Sequence, residues 1–213
     1  MCVWNVQGLM GRRYNKLDSE EMKTLFSEND ILLLTETWLN ENHNCNVEGF
    51  CHFTLNRHRH NKNAKRDSGG LVIYVANYLQ PKVSLLKMKD DRLIWVTIDK
   101  SVFNVDTDVF LCLAYTVPTG SAREVFYNCT TFDSIAEDMI EFRNLYNNQC
   151  KFLITGDLNA RVGKRNDFVA NENLQSFDIQ LPDDYVTDEK IVRNSQGVTV
   201  NDNGCMNFAS LRF

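Results

Sequence analysis

Asn29-Asp30-Ile31-Leu32-Leu33-Leu34-Thr35-Glu36 is the stretch on which the reading of this chain turns. Four consecutive aliphatic residues, with turn-forming Asn and Asp before them and an acid after, make a run too short for a helix. It has the pattern of a strand covered on both faces, as in a parallel sheet. Just upstream, Asp18-Ser19-Glu20-Glu21 supplies an N-cap and early acids, and Met22, Leu25 and Phe26 then fall on one helical face. Further back, Cys2 to Val6 is short and apolar-rich and is closed by Gln7-Gly8, which predicts a strand from the first residues and further chain before it.

Downstream, Leu71 to Val75, Leu93 to Ile98 and Val109 to Tyr115 are β-branched and aromatic runs between turn-rich or charged segments, and predict successive strands. From Ala122 to Tyr146, apolar residues at Val125, Phe126, Phe132, Ile135, Met139, Ile140, Phe142 and Leu145 recur at helical intervals and predict the longest helix. Phe152 to Thr155 returns to the buried-strand pattern. After Gly163 the composition turns polar and predicts loops with short helices. Strand, helix and strand alternating with hairpin stretches predict an α/β sandwich of four layers, two packed mixed sheets flanked by helices, as one domain over residues 1–213.

Composition bounds the partners. A formal net charge of −5 excludes a surface built everywhere to hold nucleic acid, so any such contact has to be local. The dense basic run is Arg57-His58-Arg59-His60-Asn61-Lys62 with Lys65-Arg66. It reads either as a phosphate-binding loop, with Arg57, Arg59, Lys62, Lys65 and Arg66 as its contacts, or as a solvated loop. The 7 cysteines are scattered and lack Cys-x-x-Cys spacing, which predicts free thiols in a reducing compartment. No signal stretch or apolar run of spanning length is present, so the expectation is an intracellular protein, nuclear or cytoplasmic, without membrane contact. All four histidines, His43, His52, His58 and His60, read as surface residues.

Polar residues fall where the buried strands end: Asn5 after Val3-Trp4, Glu36 after Leu32 to Thr35, and Asp157 with Asn159 after Phe152 to Thr155. A carboxylate at a buried strand end loses water and gains by meeting a cation, and a hard oxygen donor suits magnesium or manganese. Taken alone, Glu36 also reads as an exposed acid without a role. In Gly156-Asp157-Leu158-Asn159-Ala160 a carboxylate and an amide two positions apart are expected on one side of an extended segment, able to orient a water and a phosphate. Tyr115, taken alone, reads equally as a core aromatic.

Together these residues carry a resemblance. Trp4-Asn5-Val6-Gln7-Gly8, Thr35-Glu36-Thr37-Trp38, Gly69-Gly70-Leu71-Val72-Ile73-Tyr74, Ala114-Tyr115 with Pro118, and Gly156-Asp157-Leu158-Asn159 resemble, in order, the motifs of the endonuclease/exonuclease/phosphatase superfamily. The Gly-Gly-x-x-Ile-Tyr strand and Arg193-Asn194-Ser195 before Asn203-Gly204 are similar to endonuclease domains of LINE-type retrotransposons.

The resemblance implies a deoxyribonuclease I-like fold and a metal-dependent, DNA-nicking hydrolase. Glu36 would bind magnesium or manganese, Asn5 would hold metal or phosphate, and Tyr115 would lie near the phosphate. Asp157 would orient or deprotonate water, and Asn159 would bond the oxygens that gain charge. It also implies DNA as partner and a reverse transcriptase domain in a longer polyprotein. Complete members carry two further strands with an Asp and a Ser-Asp-His motif, which this sequence does not contain. A C-terminally incomplete domain of impaired activity is therefore the expectation. Other readings are a hydrolase of a different phosphoester and a noncatalytic gene remnant.

Overall fold

The computed structural model describes residues 1–11, 14–56, 69–118, 121 and 127–160. Strand β1 (Cys2–Asn5) is followed by the short β2 (Met10–Gly11) and β3 (Tyr14–Asn15), then by α1 (Glu20–Glu28) and β4 (Ile31–Thr35). Next come β5 (Phe50–Leu55), β6 (Leu71–Ala76), a 3-10 segment Asn77–Lys82, β7 (Val83–Lys89) and β8 (Leu93–Ile98). The short α2 (Lys100–Phe103), β9 (Val109–Tyr115), α3 (Thr131–Leu145) and β10 (Lys151–Asp157) follow, and a 3-10 turn at Lys16–Asp18 precedes α1.

Strands β2 and β3 pair in a 2-stranded sheet, and the other eight form two 4-stranded sheets, ordered β1-β4-β6-β5 and β10-β9-β8-β7. Their pairings match: β1 with β4 and β10 with β9 are parallel, and the remaining neighbours run antiparallel. The alternation of side chains along a strand divides each apolar run between two faces. Ile31, Leu33, Leu71, Ile73 and Val75 meet Ile94, Val96, Ile98, Leu111 and Leu113 between the sheets. The alternate residues Leu32, Leu34, Val72 and Tyr74 pack outward under Met22, Leu25 and Phe26 of α1. On the opposite side Leu93, Trp95, Phe110 and Cys112 pack under Ile135, Met139 and Phe142 of α3. The continuous aliphatic run thus serves two cores, and the layers are helix, sheet, sheet and helix, the mixed α/β sandwich that the sequence predicts.

Ser19 caps α1 by accepting from the Met22 N–H at 3.2 Å. The longest helix starts later than the periodicity predicts, because residues 127–130 are not helical. Thr130 accepts from the Asp133 N–H at 3.1 Å, and the Asp133 carboxylate accepts from the Thr130 N–H at 3.1 Å, a reciprocal cap that fixes the start at Thr131. Beneath α3 the buried Asp138 accepts from Trp95 Nε1 at 2.9 Å and from Lys87 Nζ at 2.6 Å, tying the helix to β8 and β7.

His52 departs from the surface expectation. It lies half-buried in β5, its ring 5.6 Å from that of Tyr74 and its Nε2 3.4 Å from Cys45 Sγ. Burial holds its pKa below the ordinary histidine value. The described cysteines are free thiols, and Cys205, His58 and His60 lie outside the described residues. Among the described residues no helix is long and apolar enough to cross a membrane.

Candidate active site at one end of the sandwich

The registers place the strand-end polar residues. Asn5 lies opposite Thr35 in the parallel β1–β4 pair, and Tyr115 opposite Asp157 in the parallel β9–β10 pair. Trp4 packs into the outer core of the first sheet, so Asn5 next to it belongs to the inner face. Leu153 packs between the sheets, which puts Thr155 and Asp157, two and four residues on, on the same inner face. Four strands therefore deliver Asn5, Thr35, Tyr115 and Asp157 to one end of the interface. The sheets are joined there by a bond from Asn5 Nδ2 to Asp157 Oδ2 of 2.7 Å.

Asn5 is fixed at both ends of its amide, since its Oδ1 accepts from the Gln7 N–H at 3.1 Å. Asp157 uses its other oxygen, Oδ1, to accept from the Asn159 N–H at 3.0 Å. The expected extended Asp157-x-Asn159 segment is instead a turn. Asn159 is left-handed at φ 46°, and its Nδ2 donates to the Thr116 carbonyl at 2.7 Å, so the pair is presented by a bend closed against the β9 end. Gly156 allows the approach: its φ is +133°, and a Cβ there would lie 2.0 Å from the Ala114 carbonyl oxygen. Tyr115 is 4% exposed and packs in the inter-sheet core.

Glu36 leaves β4 in the left-handed region, φ 55°, and Trp38 repeats that conformation at 56°. For residues with a Cβ this costs roughly 1–2 kcal/mol each, and backbone bonds offset it. Gly8 N donates to the Glu36 carbonyl at 2.7 Å, Leu9 N to Thr37 at 2.8 Å, and Trp38 N to Gly69 at 2.9 Å. The bend swings the half-buried Glu36 carboxylate off the sheet, where Oε2 accepts from Trp38 Nε1 at 2.6 Å and from Gly69 N at 3.1 Å. On the other side of this loop, Lys16 Nζ donates to the Val6 and Gln7 carbonyls.

Asn5, Glu36, Tyr115, Asp157 and Asn159 thus stand at or just past the ends of β1, β4, β9 and β10. Arg57, Arg59, Lys62, Lys65 and Arg66 lie outside the described residues. Sequence reasoning missed the Trp38 indole, the Gly69 amide and the buried hydroxyls of Thr35, Thr37 and Thr116, which have no hydrogen-bond partner among the described residues. The spacing Glu-x-Trp holds no hint of the indole bond, because only the left-handed bend turns both side chains together.

The donors suit one kind of cation. Among the described residues no group of three or more His, Cys, Asp and Glu is placed to hold a metal. One or two carboxylates with amide and hydroxyl oxygens fit an ion of magnesium type, which keeps much of its water and takes the rest of its ligands from substrate.

Comparison with solved structures finds one of similar fold and others of weaker likeness. An AP endonuclease from Leishmania major matches with a TM-score of 0.52 at 18% identity, over 75% of this chain and 55% of its own. Truncated TDP2 from Caenorhabditis elegans matches at 0.45 and 16%, over 75% and 62%, and the human Nocturnin catalytic domain at 0.40 and 17%, over 75% and 64%. This chain therefore spans less than two thirds of the length of each. No curated protein matches the sequence. The Endonuclease/Exonuclease/phosphatase family matches residues 2–188, taking in both sheets and every strand end described above, and the chain belongs to that family.

Proposed function

We propose that this domain is a metal-dependent phosphodiester hydrolase that nicks DNA, of the kind carried by LINE-type retrotransposons. The observation that supports it most is the Asn5–Asp157 bond of 2.7 Å, which sets a carboxylate from one sheet against an amide from the other, at the strand ends where Glu36 leaves β4. A bound magnesium or manganese would polarise the scissile phosphate. Glu36 would hold it, with Asn5 Oδ1 and the Thr35 hydroxyl as neighbouring oxygens.

Asp157, pinned through both oxygens by Asn5 and Asn159, has its remaining lone pairs directed, and its role is to orient and deprotonate the attacking water. Asn159, held by its bond to the Thr116 carbonyl, donates to the oxygens that gain charge, and the Tyr115 phenol lines the phosphate side. The basic residues from Arg57 to Arg66 meet the DNA backbone, and the domain works beside a reverse transcriptase in a longer protein.

The test is nicking of supercoiled plasmid with magnesium. Asp157→Ala and Glu36→Ala are expected to lose on the order of 10²–10⁴-fold in rate while keeping their thermal melts. The chain joined to a segment bearing an Asp and a Ser-Asp-His motif is expected to nick faster than the chain by itself. Nicking unaffected by either substitution overturns the residue roles. Phosphate release from a small phosphoester, without nicking, would shift the substrate to another phosphoester of the same chemistry.

A further inference from the structure

Glu36 is a metal ligand in the proposed function, and its surroundings bear on which metal it takes. Both hydrogen bonds to its carboxylate end on the same oxygen: Trp38 Nε1 at 2.6 Å and Gly69 N at 3.1 Å both donate to Oε2. Among the described residues no donor reaches Oε1. The carboxylate is therefore asymmetric before any ligand arrives, with one oxygen saturated by fixed donors and the other left to accept.

The clamp is rigid for reasons outside the carboxylate. Trp38 has a backbone bond to the Gly69 carbonyl at 2.9 Å, and Thr37 N donates to Gly70 at 3.2 Å, so indole and amide approach Oε2 from one ladder. The indole ring lies flush on Gly8, where a Cβ would come within 2.4 Å of it, and Gly8 N in turn holds the Glu36 carbonyl at 2.7 Å. A glycine at position 8 thus seats the ring that fixes the acid.

We propose that Trp38 is a positioning residue that makes Glu36 a one-oxygen ligand and thereby favours a small octahedral cation over calcium; this rests on the reading of Glu36 as the metal ligand. Calcium takes six to eight oxygens and gains from a bidentate carboxylate, whereas magnesium needs single oxygens in near-octahedral array. Saturating Oε2 denies the bidentate mode. Fixing the carboxylate also lowers the ordering cost when a small ion binds, the usual effect of partners behind a ligand.

The experiment is calorimetric titration of the whole chain with magnesium and, separately, calcium, for the native protein, Trp38→Phe and Glu36→Gln. Trp38→Phe keeps an aromatic ring and removes the N–H. It is expected to weaken magnesium about tenfold or more and calcium much less, so that the magnesium-to-calcium affinity ratio falls. Glu36→Gln is expected to lose both. If Glu36→Gln binds magnesium as the native chain does, the metal-ligand reading fails and this proposal with it. If Glu36→Gln loses binding but Trp38→Phe keeps both affinities and their ratio, only the clamp is overturned. An equal loss of both ions in Trp38→Phe also overturns the selectivity. Should Trp38→Phe lose its cooperative melt, benzothienylalanine introduced at position 38 repeats the comparison, since it keeps the ring's shape and lacks only the N–H.

Discussion

Gly156 and Asp157 show how closely chemistry and backbone are joined at single residues. Asp157 reaches the inner face because the residue before it passes against the Ala114 carbonyl, at a φ of +133° that side chains rarely adopt. Gly156→Ala is expected to cost on the order of 2–4 kcal/mol, read from urea unfolding, and, on the proposed activity, to abolish nicking where it still folds. His52 offers a second expectation. Burial keeps its folded pKa below the unfolded value of about 6.5, so as pH falls the unfolded chain takes up a proton that the folded chain resists. The stability is fully present above that value and is lost as pH falls toward the folded pKa. Melting temperature should therefore drop between about pH 7 and pH 5, and His52→Gln should flatten the drop. Asn5, Glu36, Tyr115 and Asp157 were legible because each ends an apolar run. The Trp38 bond and the Thr116 carbonyl contact were not, since both depend on left-handed bends at Glu36, Trp38 and Asn159 that no periodicity encodes.

Elements whose apolar runs fill two cores, β4, β6, β8 and β9, were readable from composition alone. The strands at the other margins of the sheets were not. β5 carries His52 and Thr54, and β7 carries Lys87 and Lys89 with a register shift between Leu85 and Lys87, so neither makes the continuous run of a covered strand. Charges and bulges of this kind blunt an unpaired edge. In α3, Val125 and Phe126 extended the helical period backward past a cap whose signature, Thr130 with Asp133, marks the true start. The same helix carries its own anchor. Asp138 is 1% exposed and satisfies both the Trp95 indole and the Lys87 ammonium. Asp138→Ala strands a buried N–H and weakens a pair whose lysine is half in water, so about 2–4 kcal/mol is expected from denaturant unfolding. Activity per folded molecule should stay unchanged, because α3 packs on the face of its sheet away from the site.

At the scale of the molecule, the described strands of the first sheet come from residues up to Ala76 and those of the second from Val83 onward, with the crossing made by Asn77–Lys82. Sequence inspection finds no internal repeat, yet both halves build the same series of pairings, one parallel and two antiparallel. Similar neighbour relations arise from dissimilar residues, which is why the sandwich was predictable while this correspondence was not. The partition has a further consequence. Asn5 and Glu36 belong to one half, and Tyr115, Asp157 and Asn159 to the other, so a chain severed beside Tyr78, which is 67% exposed, yields two peptides that each hold half a site. On the proposed activity, neither peptide should nick DNA. Mixed, they should regain nicking in proportion to the heterodimer formed, and saturating one peptide with the other would turn catalysis into a direct titration of how strongly the two sheets hold each other.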